Sequence, residues 1–259
     1  MGDILIGDGV KNKEGGLSPE STSLGMLPKK WERRADGIYL IKKGSGPFTQ
    51  EPFNELIANK IMNNLEIKNV EYKIEWKNGN AQSVCKNFLK KEQELIHAFD
   101  FAHIIKEKSD KYKEFLSVCE NNNIKNIERN IGQMLVVDYI IGNTDRHFNN
   151  FGFLRNTKTL SYEGFAPVYD SGNSLYNNNS ENNISIYKDI SSKPFKSYHS
   201  EQIKELLDII DYFDKHKLSN ISDIINDTLK ENNLISEKRR NIIIHCTKRR
   251  VENLEQMKN

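Results

Sequence analysis

Within six positions of this 259-residue chain stand Asp145, His147 and Asn150, in the segment Gly142-Asn143-Thr144-Asp145-Arg146-His147-Phe148-Asn149-Asn150-Phe151-Gly152-Phe153-Leu154. A second carboxylate, Asp170, follows twenty-five positions after Asp145, in Phe165-Ala166-Pro167-Val168-Tyr169-Asp170-Ser171-Gly172. The first segment follows a helix stop and precedes an apolar, strand-like piece, so its polar residues belong to a loop rather than to one helix face. Between the two segments, Arg155 to Gly164 is hairpin-sized and would bring Asn150 close to Asp170. Asp145, Asn150 and Asp170 would then form a hard, oxygen-rich group suited to Mg²⁺ rather than zinc. One carboxylate is left over for base work, which is the division of labour of phosphoryl transfer. Taken singly, each of these residues is an ordinary turn or cap former. The full spacing with its flanks favours chemistry.

That chemistry needs cations and a phosphate cradle. Gly37-Ile38-Tyr39-Leu40-Ile41-Lys42-Lys43 reads as a strand, and its alternation sends Lys42 inward with Ile38 and Leu40 while Lys43 faces solvent. Glu55, beside the apolar stripe of the following helix, is placed to pair with Lys42. Upstream, Ser21 to Lys30 could offer backbone N–H groups to phosphates, although one glycine, Gly25, makes a weak loop signal. His147 has two readings, a phosphate contact or a brace for its own loop. Lys193-Pro194-Phe195 has two readings, a substrate contact or a structural turn, and the turn is preferred.

The positioning elements are mixed. Residues 1–36 read as an opening segment and loops with a short strand at Ile4–Ile6; strands follow at 37–43, 70–76 and 81–88, the last two joined by Lys77-Asn78-Gly79-Asn80. A helix carrying Phe53, Leu56, Ile57, Ile61 and Leu65 separates the first strand from that hairpin. Beyond residue 91 the pattern predicts helices at 94–105, 112–118, 127–141 with Gly142 as C-cap, 200–213, 221–231 and 236–257. Short strands are expected at 151–154 and 165–169, and the tract 177–183 reads as a polar surface loop. The expected class is α+β, with a small sheet-containing lobe (1–90) before a larger helical one (91–259) and the ligand between them.

The motif Asn-x-Asp-Arg-His-x-x-Asn-x-Gly-Phe-Leu-Arg, followed by Ala-Pro-x-Tyr-Asp-x-Gly-x-Ser-Leu, resembles the HipA-like kinases, distant relatives of phosphatidylinositol-type and protein kinases. The chain is similar to short members of that family over roughly residues 21–200. The resemblance implies a bilobal, protein-kinase-like fold using ATP and Mg²⁺ to phosphorylate a Ser/Thr hydroxyl on a protein substrate. It implies Asp145 as the catalytic base, with His147, Asn150, Tyr169 and Asp170 lining the nucleotide and Asn150 and Asp170 holding the metal. Lys42, supported by Glu55, resembles the phosphate-binding lysine, Lys86-Asn87-Phe88 the hinge that meets adenine, and Leu24, Gly25 and Lys29 the phosphate loop. A hydroxyl of Ser21, Thr22 or Ser23 matches the autophosphorylated position. Too little sequence precedes that loop for the extra N-terminal subdomain of HipA, so an antitoxin partner is an open expectation.

Composition narrows the rivals. With 38 basic and 36 acidic side chains the net charge is +2, too balanced to make nucleic acid an obligatory partner. The clusters Lys238-Arg239-Arg240 and Lys248-Arg249-Arg250 read as solvated helix faces. Cys85, Cys119 and Cys246 are odd in number and widely spaced, which argues for reduced core residues. No apolar run approaches the roughly 20 residues that span a bilayer, no secretory signal stands at the N-terminus, and a cytoplasmic location is expected. A lipid or small-molecule kinase of the same fold, and a non-catalytic regulator, are the competing functions.

Overall fold

The computed structural model describes residues 29–105, 110–185, 187–206, 210 and 213–258, with strand 5–6. Its first sheet is antiparallel, in the order β2 (Lys29–Arg34), β3 (Gly37–Lys43), β5 (Asn80–Lys86), β4 (Tyr72–Lys77). Helix α1 (Glu51–Asn64) follows β3 and buries Phe53, Ile57 and Ile61 completely. Leu40 and Lys42 share one face of β3, while Tyr39 and Ile41 pack with Val84 on the other. Pairing of Lys42 with Ser83 fixes the register.

The second sheet runs β1 (Leu5–Ile6), β6 (Gln93–His97), β7 (Gly152–Asn156), β8 (Tyr162–Phe165), again antiparallel. Around it lie α2 (Phe99–Ala102), α3 (Lys111–Asn121), α4 (Ile127–Ile141), α5 (His199–Lys204), α6 (Ile221–Leu229) and α7 (Glu237–Lys258). The main core joins α1, α3, α4, α6 and α7 with an aromatic group of Phe101, Phe115, Phe148, Phe151, Phe153 and Phe195. All three cysteines are free and buried. Among the described residues, no helix is long and apolar enough to cross a membrane.

Three elements differ from expectation. Lys29–Arg34 is a strand, not loop: it is one edge of the sheet, and its charged side chains are paired, Lys30 with Glu32 on the same strand at 2.6 Å and Arg34 with Glu75 of β4 at 2.7 Å. Residues 94–105, expected as one helix, split into β6 and the single turn α2. Glu94 is buried but paired with Arg155 at 2.7 Å, so a polar residue stands inside a strand and mimics helical spacing. The strand expected at 165–169 falls at 162–165 instead; Pro167 has no N–H to extend the ladder, and Val168 makes only an isolated bridge to Asn69.

In the basic clusters of α7, Lys238, Lys248 and Arg249 are exposed as expected, but the three remaining arginines depart from a solvated face. Arg239 is wholly buried, donating to Gln50 Oε1 and to the carbonyls of Tyr176 and Asn179, and its guanidinium lies 3.8 Å from the Phe48 ring centroid. Arg250 donates to the Ile140 carbonyl and the Tyr176 hydroxyl, and Arg240 to Asn226 and the Ile235 carbonyl. These arginines cap and stitch the helical lobe. In the polar tract, Asn177 turns inward while 178–180 stay exposed.

Candidate functional site

Helix α4 ends where Gly142 takes the left-handed conformation (φ 61°, ψ 50°), a geometry a side chain resists, and the chain turns into the Asn143–Asn150 loop. Beneath it lies Asp138, an acidic residue inside an apolar helix, 1% exposed. Arg146, fully buried, donates through Nε to Asp138 Oδ2 at 2.8 Å and through Nη2 to Oδ1 at 3.0 Å. Burial opposes the guanidinium's charge, but Asp138 outweighs it and holds the Arg146 pKa above its ordinary value. The same guanidinium donates to the Asn150 carbonyl at 2.7 Å, to the Tyr169 carbonyl, and to Ser171 Oγ at 2.9 Å. One buried arginine therefore clamps the two polar loops together across the β7–β8 hairpin.

Asp145 projects from that clamp, about one-third exposed. Its backbone N–H donates to Asn143 Oδ1 at 3.0 Å; its carboxylate accepts from Lys193 Nζ at 2.9 Å and from Asn173 Nδ2 at 3.2 Å. His147 braces the loop, its Nδ1 accepting from the Asn149 N–H at 3.2 Å, which leaves Nε2 toward Asp145 Oδ2 at 3.9 Å. Asn150 donates through Nδ2 to the Asp145 carbonyl at 2.8 Å. Its amide oxygen is the atom it can offer a cation.

From the first sheet, Lys42 Nζ lies between two carboxylates, 2.8 Å from Glu55 Oε1 and 2.7 Å from Asp170 Oδ1. Burial works against its charge, but Asp170 and Glu55 prevail and raise its pKa well above the usual lysine value. Desolvation likewise opposes ionisation of Asp170, yet Lys42, Arg146 and Lys29 keep its carboxyl below the ordinary range. Asp170 itself sits at φ 60°, a conformation aspartate tolerates better than most residues. Glu55 Oε2 accepts from the Ser171 N–H at 3.0 Å, fixing the start of the Asp170-Ser171-Gly172 turn to α1. Lys29, at the head of β2, is near enough to feel both Asp170 and Lys42, and burial pushes its pKa down.

A pocket opens beside this charge cluster. Trp31, Leu40, Val70, Tyr72, Cys85, Phe88, Leu95 and Tyr169 line it together with Lys42 and Asp170. Phe88 and Tyr169 stack at 6.1 Å between centroids, and burial raises the Cys85 pKa to about 12, leaving its thiol neutral. Lys86 borders the pocket while its ammonium pairs with Asp36 at 3.4 Å. An apolar slot next to cations and a carboxylate suits a planar base carrying phosphates.

Of the residues singled out in the sequence, Lys42, Lys86, Phe88, Tyr169 and Asp170 line the pocket, Glu55 holds Lys42 from α1, Lys29 lies near Lys42 and Asp170, and Asp145, His147 and Asn150 stand on the adjoining loop. Ser21, Thr22, Ser23, Leu24 and Gly25 lie outside the described residues. Sequence reasoning missed Asp138, whose apolar surroundings mark it as a break in a pattern, and Asn173. It preferred a turn over a substrate contact for Lys193, whose ammonium reaches Asp145. Among the described residues no three His, Cys, Asp or Glu side chains gather to hold a metal. Asn150 and Asp170 are two oxygen donors on loops that Arg146 ties together, a set that fits Mg²⁺ delivered with phosphates and water rather than caged by protein.

Known proteins resemble this chain in sequence and in fold. The family model of the HipA-like C-terminal domain matches residues 17–233. The serine/threonine-protein kinase CtkA of Helicobacter pylori is 29% identical over 154 residues, covering 54% of this chain and 47% of that protein, so the chain spans about half the length of the curated relative it matches. The crystal structure of the Helicobacter pylori proinflammatory kinase CtkA superposes with a TM-score of 0.69 at 21% identity, covering 91% of this chain and 95% of that one. HipA of Shewanella oneidensis, solved with HipB and operator DNA, superposes at 0.62 with 12% identity, covering 91% and 65%. Both superpositions show the same bilobal α+β fold, and because the family model spans most of the sequence, this chain belongs to the HipA-like C-terminal domain family and has its kinase-like fold.

Proposed function

We propose that this protein is an ATP- and Mg²⁺-dependent kinase that phosphorylates a Ser/Thr hydroxyl on a protein. The observation that carries the reading is Lys42 Nζ held between Glu55 and Asp170 beside an apolar pocket: a lysine fixed by a helix glutamate, next to an aspartate that can turn to a metal ion, is the set that phosphoryl transfer uses. Asp145 orients the acceptor hydroxyl and takes its proton as the oxygen bonds to the γ-phosphorus and the bond to the leaving ADP oxygen breaks. Lys42 and Lys29 offset the phosphate charge, and the pocket wall of Leu40, Val70, Phe88 and Tyr169 receives the base. Mg²⁺, held by Asn150 and Asp170, would neutralise charge on the phosphate oxygens.

The same proposal covers the acceptor and the partners. Self-phosphorylation within Ser21–Ser23 would add about two negative charges at a site next in sequence to Leu24 and Gly25, opposing the binding of phosphates there. A toxin or effector role, an antitoxin-type protein partner such as HipB is for the Shewanella protein, and a cytoplasmic site of action go with it.

The test is calorimetric titration of ATP with Mg²⁺ into wild type and Asp170→Ala, with radiolabelled self-phosphorylation of both and of Asp145→Asn. Binding and label in the wild type, with label lost in both variants, supports the kinase. Binding without label would identify a non-catalytic regulator, and transfer confined to lipid or small-molecule hydroxyls would overturn the protein-kinase reading.

A further inference from the structure

We propose that Lys193 is a positioning residue for Asp145 during transfer, an inference that rests on the reading of Asp145 as the group that receives the acceptor proton. Lys193 Nζ lies 2.9 Å from Asp145 Oδ1, and its side chain is half exposed. An exposed ion pair contributes only about 0–1 kcal/mol to folding, so stability alone gives little reason for a lysine at this carboxylate. The surrounding backbone is nevertheless firmly held. Gln202, 2% exposed, donates to the Lys193 carbonyl at 3.1 Å and accepts from the N–H groups of Phe195 at 3.2 Å and Lys196 at 3.4 Å. Phe195 is buried against Tyr112, Phe115 and Phe148, and His199 Nε2 meets the Asn143 carbonyl at 2.8 Å. Lys193 therefore has an anchored base and a free tip aimed at one oxygen of Asp145.

The two carboxylate oxygens are not equivalent. Oδ2 accepts from Asn173, which is itself held through Oδ1 by the side-chain amide of buried Asn177 at 3.2 Å. Oδ1 accepts from Lys193. An arriving hydroxyl can donate to the second lone pair of Oδ1 while the Lys193 and Asn173 contacts both persist, and the carboxylate stays oriented throughout. The proton then passes from hydroxyl to Oδ1 while the new oxygen–phosphorus bond forms and ADP departs; Lys193 exchanges no proton. Its compact ammonium, with three rotatable donors on a flexible stem, remains beside the atoms where negative charge develops.

The experiment follows self-labelling from radiolabelled ATP over a range of ATP concentrations in wild type, Lys193→Met, Lys193→Arg, Asp145→Asn and Lys188→Met, with ATP binding by calorimetry. Lys188 is exposed on the same segment and serves as a charge-matched control. Lys193→Met is expected to bind ATP and half-saturate as wild type does, while its maximal rate falls roughly 100-fold. Lys193→Arg should recover most of that rate and Lys188→Met should match wild type. Lys193→Met labelling at the wild-type rate, Lys193→Arg as defective as Lys193→Met, or lost ATP affinity in Lys193→Met would each overturn the proposal. A wild type that never labels, or an Asp145→Asn that labels normally, overturns the role of Asp145 itself and the proposal with it.

Discussion

Lys42 is buried between Glu55 and Asp170, and the lysine and Asp170 each favour the other's charged form against the cost of burial. Lys42→Met would leave Glu55 and Asp170 facing one another with no cation between them, and breaking a buried pair in this way costs about 3–5 kcal/mol; urea unfolding should show a lower midpoint, and calorimetry a loss of ATP binding. The pH dependence follows from the shifts. Asp170, with its pKa lowered, stabilises the fold above about pH 4 and loses that contribution as pH falls through its folded value. Lys42, with its pKa raised, stabilises below about pH 10.4 and loses it as pH rises further. The melting temperature of the ATP-free protein should fall more steeply on acidification in wild type than in Asp170→Asn; equal slopes would contradict the pairing. Strand alternation was enough to send Lys42 inward, and Glu55 followed from its place on the next helix. Asp138 was not legible in this way, since a carboxylate in an apolar helix reads as an interruption until Arg146 is seen beneath it. Arg146→Met should strand that carboxylate and lower stability by about 3–5 kcal/mol in the same denaturation assay.

Local pattern served the helices better than the strands. α1, α3, α4, α6 and α7 lie close to where apolar spacing puts them, and the helix stop at Gly142 is realised as a left-handed cap. Gly142→Ala should destabilise by about 1–2 kcal/mol, because φ stays at 61° and the new methyl would meet Ile190 Cδ1 at 2.8 Å; a shifted denaturation midpoint at unchanged slope is the check. Strands β2 and β6 escaped the period-2 rule for opposite reasons. β2 is an edge whose residues pair with neighbours through charge, and β6 is an interior strand that tolerates Glu94 because Arg155 answers it. The second exception is invisible without the partner strand.

Helix α1 and α7 hold the two lobes as one body. Gln50, at the start of α1, donates to the Leu175 carbonyl and accepts from Arg239; Asn54 donates to the carbonyls of Gly172 and Ser174, and Asn232 to that of Phe48. Arg239→Met should therefore lower global stability by about 3 kcal/mol without changing retention on a polyanion column, whereas a nucleic-acid role for α7 would require the reverse. The family motif, the alternation that buries Lys42 and the apolar stripes of the helices are written in spacings of a few residues, and each could be read in order along the chain. The contacts that complete the site span much longer separations: Lys42 to Asp170 over 128 positions, Gln50 to Arg239 over 189, and Asp145 to Lys193 over 48. Periodicity reports which face of an element is buried, but not which side chain waits on the other side. That choice belongs to sheet order, lobe packing and the need of every buried charge for a partner.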